Sequence, residues 1–225
     1  VELTITNWPA YIIDGQHRIQ AADKAIDEGA DLTDYEFGVT ITNFSIEEEM
    51  VHFRNLNFTG MRPPRGLGQV ITSTLNSQYG WTPRNWSEQA VNRAVAVTTK
   101  LNTDSDSPWY GKIALGGVRK RNYHTTVQSS FVKTLEPLFI TGRFADPQEK
   151  IEHVYELVNG FWKAVENVWP EAMGNPDAHL IQRLGGFSVL NKIMGRIYAT
   201  VDINASQVEI EEILTNIKNN LGVDD

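Results

Sequence analysis

The chain contains no cysteine. That excludes a disulfide framework, a catalytic thiol and any zinc site built on sulfur ligands. No run approaches the roughly 18 apolar residues that a membrane-spanning helix needs, and none reads as a signal peptide, so the expectation is a cytoplasmic protein with no membrane partner. Four Asn-x-Ser/Thr sequons, at Asn43, Asn57, Asn85 and Asn204, therefore read as chance matches. The histidines His17, His52, His124, His153 and His179 do not fall at metal-ligand spacing, so a metal held by protein ligands alone is not expected. Neither a Gly-x-Ser-x-Gly elbow nor a phosphate loop ending in Gly-Lys-Ser/Thr is present. There is no internal repeat, and no methionine opens the chain. The expectation is a piece of a longer protein.

What is present is an ordinary globular composition: 225 residues, 41% hydrophobic and 21% charged, enough for one large or two small domains with a substantial core. Charge is unevenly spread. Residues 1–49 hold 2 basic and 11 acidic residues, residues 50–133 hold 11 and 3, and residues 134–225 hold 7 and 14, for a total of −8. An acidic total argues against a protein that coats DNA nonspecifically. The basic middle forms a phosphate patch if the fold keeps it together, and no patch if the fold intermixes it with acidic segments.

The densest group of functional side chains is Asp14-Gly15-Gln16-His17-Arg18. Val1–Thr6 alternates apolar and polar residues as a strand does, and Tyr11-Ile12-Ile13 also reads as a strand. Ile19, Ala22 and Ile26 follow at helical spacing, and Gly29 marks a stop. Asp14 is placed to cap that helix and Gly15 to make a tight turn. A Gly turn at a helix start with Gln, His and Arg in the first turn is an anion site. The same residues also suit a polar helix start beside a solvated loop. Residues 35–41 alternate again as a strand. Ser45 and Glu48 then form a capping box for a helix with Ile46, Met50, Phe53 and Leu56 or Asn57 inward. The alternation predicts a mixed α/β or α+β unit, and the domain expectation is a core over 1–70 with a mainly helical remainder over 71–225.

That second helix ends in Asn55, Asn57, Arg62, two prolines and Arg65. These form either an Arg-rich phosphate-reading loop or a solvated connector. Helices are expected over 66–79 and 85–102, with Asn85 or Ser87 as cap. Residues 102–108 read as a loop and a candidate for disorder, and 109–117 as room for a short strand. Arg119, Lys120 and Arg121, with Tyr123, suit contact with single-stranded nucleic acid or a solvated edge. Asp146-Pro147-Gln148-Glu149 predicts a helix start. It is followed by a core stripe of Ile151, Val154, Tyr155, Val158, Phe161, Trp162, Val165 and Trp169, ended by Pro170. Ser206 and Glu209 cap a terminal helix that packs within the chain or pairs copies into a homo-oligomer.

Asp14-Gly15-Gln16-His17-Arg18 resembles the signature of the DGQHR-domain family, which includes the DndB proteins of DNA phosphorothioation systems. The likeness extends through 35–43, the helix from 45 ending Phe53-x-x-Leu56-Asn57, Arg62-Pro63, Phe161-Trp162-x-x-Val165 and Gly185-Gly186-Phe187. More distantly, the region resembles the ParB/sulfiredoxin-like fold. Gly15 to Arg18 fall where ParB proteins contact nucleotide phosphates. Asn55 matches an Asn of their second motif, whereas Arg54 and Phe58 replace its Glu and Arg, which weakens any implication of CTP binding. Gln16 stands in place of the sulfiredoxin nucleophilic Cys, so that chemistry is excluded.

The resemblance implies a DNA-associated protein that binds DNA or nucleotide phosphate and regulates or accompanies a DNA-modification system. The site would be Gly15, Gln16, His17, Arg18, Asn55, Asn57, Arg62 and Arg65. The alternative is an enzyme that hydrolyses a nucleotide or cuts DNA. There His17 would act as phosphate ligand or general acid, Arg18 would neutralise charge, and Asp14 would hold water or a Mg²⁺ carried in by the nucleotide.

Overall fold

The structure is a computed structural model that describes residues 11–59, 65–83, 85–117, 123–201 and 206–221. The chain divides into two compact units, Val1–Pro63 and Pro64–Asp225.

In the first unit α1 spans Gln16–Asp27 and α2 spans Ile46–Thr59. Good helix formers fill α1. It ends as Gly29 predicts. Gly29 takes a left-handed φ of 89°, its N–H donates to the Ile26 carbonyl at 2.9 Å, and Ala30 N–H donates to Ala25 at 2.8 Å. That closes the helix in a Schellman motif. The Ser45 capping box forms as expected: Ser45 N–H donates to Glu48 Oε2 at 2.8 Å and Glu48 N–H donates to Ser45 Oγ at 3.3 Å. The Ser45 N–H and the Ser45 hydroxyl, which donates to Oε2 at 3.0 Å, hold the Glu48 carboxyl below its ordinary range, the backbone bond contributing most.

Two expectations for this unit fail. Residues 11–13 and 35–41 form no strand. Alternation stabilises a strand only where an edge pairs with it and a core takes one face, and Tyr11, Tyr35, Phe37, Val39 and Ile41 are exposed. The inward faces also differ, since Ile19, Ile26, Ile46 and Leu56 are exposed. The expected strand at Val1–Thr6 lies outside the described residues.

The second unit carries α3 (Arg65–Tyr79), α4 (Trp86–Thr103), β1 (Ile113–Ala114), β2 (Thr126–Val127), α5 (Gln128–Ile140), α6 (Ile151–Val168), α7 (Pro170–Gly174), α8 (Leu184–Thr200) and α9 (Gln207–Leu221). β1 and β2 pair in parallel, with Ile113 opposite Thr126. The described fold is thus mostly helical with a small parallel sheet, a mixed α+β class. Asn85 caps α4 by accepting from Ser87 N–H at 2.8 Å.

The core gathers around Trp109. Its ring lies 4.7 Å from Phe131 and 4.9 Å from Trp162, both edge-on, and Phe187 lies 5.2 Å from Phe131. Burying each such ring is worth ~2 kcal/mol or more. The α6 stripe supplies Val154, Val158, Phe161, Trp162 and Val165, all buried. The terminal helix resolves toward packing within the chain, because α9 lies on α6 and buries Ile210 and Leu214. Its Ser206–Glu209 capping box forms, with Ser206 N–H donating at 2.7 Å.

Two local expectations are corrected. Residues 102–108 are pinned rather than disordered. Asn102 Oδ1 accepts from Ile113 N–H at 2.8 Å, Asp104 accepts from the Tyr155 hydroxyl at 2.5 Å, and Ser107 and Trp109 are buried. Asp146 opens a turn and not a helix, so α6 begins only at Ile151. Arg93 takes the carbonyls of Phe144, Asp146 and Glu149 at 2.6 to 3.0 Å, and these bonds hold residues 144–149 in place against α4. Pro170 ends α6 but also opens α7 at its first position, where a missing N–H costs nothing.

Candidate functional site

The Asp14–Arg18 turn is built by Gly15. Its φ of 91° and ψ of 5° put it in the left-handed region at the N-cap of α1, a conformation costing an L-residue about 1–2 kcal/mol. Its carbonyl starts the helix, accepting from Arg18 N–H at 3.0 Å and Ile19 N–H at 3.2 Å. The expected Asp14 cap is not formed: no side chain caps α1. The Gly15 turn instead places Asp14 Oδ2 3.7 Å from Arg18 Nη2. The Arg18 guanidinium folds back over Gly15, since a Cβ there would lie 3.3 Å from Nη2. Gln16 Nε2 donates to the Ile12 carbonyl at 3.2 Å, bracing the chain before the turn.

The result is a helix start with free backbone donors and exposed Gln16, His17 and Arg18 side chains. Arg18 is 73% exposed and Asp14 49% in their side chains, so the pair is screened by water and costs little to open. Among the described residues, the Arg18 guanidinium faces one carboxylate, Asp14, beside the positive end of the α1 dipole.

The remaining expected site residues lie on other elements. Asn55 lies exposed on α2 of the same unit, and α1 and α2 do not pack extensively. Asn57 is in the last turn of α2, and Arg65 is the first residue of α3. Arg62, Arg119, Lys120 and Arg121 lie outside the described residues. Among the described residues, no group of His, Asp and Glu is placed to hold a metal ion.

A polar cluster in the second unit was not apparent from sequence. Tyr155 donates to Asp104, Lys163 pairs with Asp106, and Lys100 Nζ sits 4.5 Å from the Tyr155 ring centre. The Tyr155 bond holds the Asp104 carboxyl below its usual range, while burial pushes the Tyr155 phenol up. These groups satisfy one another and tie the 104–106 turn to α6. Only the spacing of Asp104 and Asp106 after a helix hinted at them.

A family model described as DndB, DNA-sulfur modification-associated, matches residues 3–184. The chain belongs to the DndB family. The matched residues run from before the Asp14–Arg18 turn to the first residue of α8, so the association with DNA-sulfur modification attaches to both units. No curated protein and no solved structure matches the chain. Among the described residues no helix is long and apolar enough to cross a membrane.

Proposed function

We propose that this DndB-family chain binds phosphate, that of DNA or of a nucleotide, at the Asp14–Arg18 turn, and so regulates or accompanies the modification system its family serves. The observation that carries the reading is the uncapped α1 N-terminus behind a left-handed Gly15, with Arg18 held over the turn by an exposed carboxylate. Asn55, Asn57 and Arg62 would add phosphate contacts within the first unit, and Arg65, Arg119, Lys120 and Arg121 of the second unit would be basic contacts for DNA in their own right. On this reading the first unit is a ParB-like phosphate-binding module working in the cytoplasm, and pairing of copies is an open extension of it.

Fluorescence anisotropy with labelled duplex and single-stranded DNA across a salt series tests this. Affinity should fall steeply with salt, and Arg18→Ala should weaken binding and flatten the log–log slope by about 1. No binding to either form at low salt would overturn the proposal.

Hydrolysis or DNA cleavage at the same turn is supported less well. Asp14, the group that would hold Mg²⁺ or water, already faces Arg18. Incubation with each nucleoside triphosphate and Mg²⁺, beside Arg18→Ala, distinguishes the two: turnover lost in the variant would favour the enzyme.

A further inference from the structure

Residues 35–41 carry a strand pattern that nothing in their own unit completes. Tyr35, Phe37, Val39 and Ile41 alternate with Glu36, Gly38 and Thr40, the period of a strand with one apolar face. The rings of Tyr35 and Phe37 meet edge-on at 5.0 Å, which puts both on one side of the chain. All four apolar residues are 43% to 74% exposed. Among the described residues, the backbone groups of 36–43 make no hydrogen bond. A Cβ at Gly38 would meet nothing within 4 Å, so the polar side is open as well. Adjoining apolar side chains left in water mark interaction sites, and a row of unpaired N–H and C=O groups is a template for another strand.

Charge selects what that strand is. No Lys or Arg occurs between Lys24 and Arg54, a stretch that carries eight Asp and Glu residues. Some of these are committed locally: Glu28 pairs with Lys24, Asp31 accepts from Thr33, and Glu48 accepts from Ser45. Asp34 and Glu36 fall on the polar side of the alternation, are exposed, and have no hydrogen bond or ion pair among the described residues. A nucleic acid would bring phosphates to these carboxylates. A second copy would bring the same uncompensated acids, and like charges directly opposite are destabilising. The chain's own alternating stretch, Val1–Thr6, holds Glu2 and no cation.

We propose that residues 34–41 are a docking strand for a basic protein partner, which adds a strand whose Lys or Arg side chains alternate with apolar ones. Its cations stand opposite Asp34 and Glu36, and its apolar side chains lie beside Phe37 and Val39. Its backbone takes up the free N–H and C=O groups along one edge of the segment. Main-chain pairing of this kind supplies affinity, and the alternate side chains supply the choice of partner. The segment selects the opposite charge to the Asp14–Arg18 turn and does not depend on that turn binding phosphate.

Fluorescence anisotropy of the full chain with labelled peptides tests this. One peptide alternates Lys with Val and Tyr, a second has Glu in place of each Lys, and a third keeps the basic composition with its Lys residues in one block. The alternating basic peptide should bind about tenfold tighter than the acidic one, since each opposed charge pair is worth about two- to fivefold. It should also bind tighter than the block peptide, and its affinity should fall as salt is raised. The double substitution Asp34→Lys and Glu36→Lys should reverse the preference toward the acidic peptide. Both positions are exposed, so this variant keeps its fold. Binding should protect alternate amides over 36–42 from hydrogen exchange, read by NMR. Absence of saturable binding, equal affinity for basic and acidic peptides, no advantage of alternation, or a preference that survives the charge reversal would overturn the proposal. So would protection of these amides before peptide is added. Independent of concentration, it would place Val1–Thr6 on the edge; rising with concentration, it would place a second copy there.

Discussion

The two units store their apolar residues in opposite ways. In the second, Trp109, Phe131, Trp162 and Phe187 are fully buried and stacked edge-on or tilted. In the first, α1 buries no residue, and Tyr35, Phe37, Val39 and Ile41 stand exposed in sequence alternation. The second unit is held by side chains from many elements. The first, as described, is held by local backbone devices: the Gly15 turn, the Gly29 Schellman closure and the Ser45–Glu48 box. Chemistry that must meet a large anion suits the exposed unit.

The contrast can be broken by substitution. Trp162→Ala should cost ~3–5 kcal/mol, seen as an early transition in urea followed by tryptophan emission. A loss below ~1 kcal/mol would mean that the aromatic cluster is not the keystone of the second unit. Gly186→Ala should cost ~1–3 kcal/mol. A Cβ there would lie 2.1 Å from the Leu180 carbonyl oxygen, which is backbone and cannot rotate away.

Gly15→Ala should cost ~1–2 kcal/mol locally from its positive φ, with little change in the main unfolding transition. Its signature is faster amide exchange across α1 and weaker DNA binding. If the main transition moves as far as with Gly186→Ala, the first unit is not held by local devices. Asp14→Asn should raise DNA affinity by about two- to threefold, because it removes a weak competitor for Arg18. Reduced affinity would instead mark Asp14 as part of the site.

Smallest is the pH response. The Glu48 and Asp104 carboxyls sit below their ordinary values. Their contribution is therefore full above the ordinary carboxylate range and is lost as pH falls through the lowered values. Circular dichroism should show fraying of α2 on acidification, and Tyr155→Phe, which removes the bond that most lowers Asp104, should return that carboxyl's NMR titration toward its ordinary range.

The sequence made legible whatever depends on neighbours along the chain. Both Ser–Glu capping boxes, the Asn85 cap, the Gly29 stop, the α6 core stripe and the Asp14–Arg18 motif were readable, because caps and helical stripes act over one or two turns. Helix α5 was not anticipated. Pro137 interrupts its pattern, and its N-cap residue Val127 offers no side-chain bond. Nor was the true start of α6, which depends on Arg93 arriving from more than fifty residues away.

The site divides along the same line. That Gly15 would turn the chain and leave Gln16, His17 and Arg18 at a helix start follows from the residues alone, since only glycine adopts that φ cheaply. That Asp14 would face Arg18 instead of capping the helix depended on the realised turn. The cavity between α5 and α8 was decided by tertiary structure entirely. Asn191 and Pro137 are unremarkable in sequence, and they line one cavity only because two distant helices pack, which leaves the buried Asn191 Oδ1 without a protein donor.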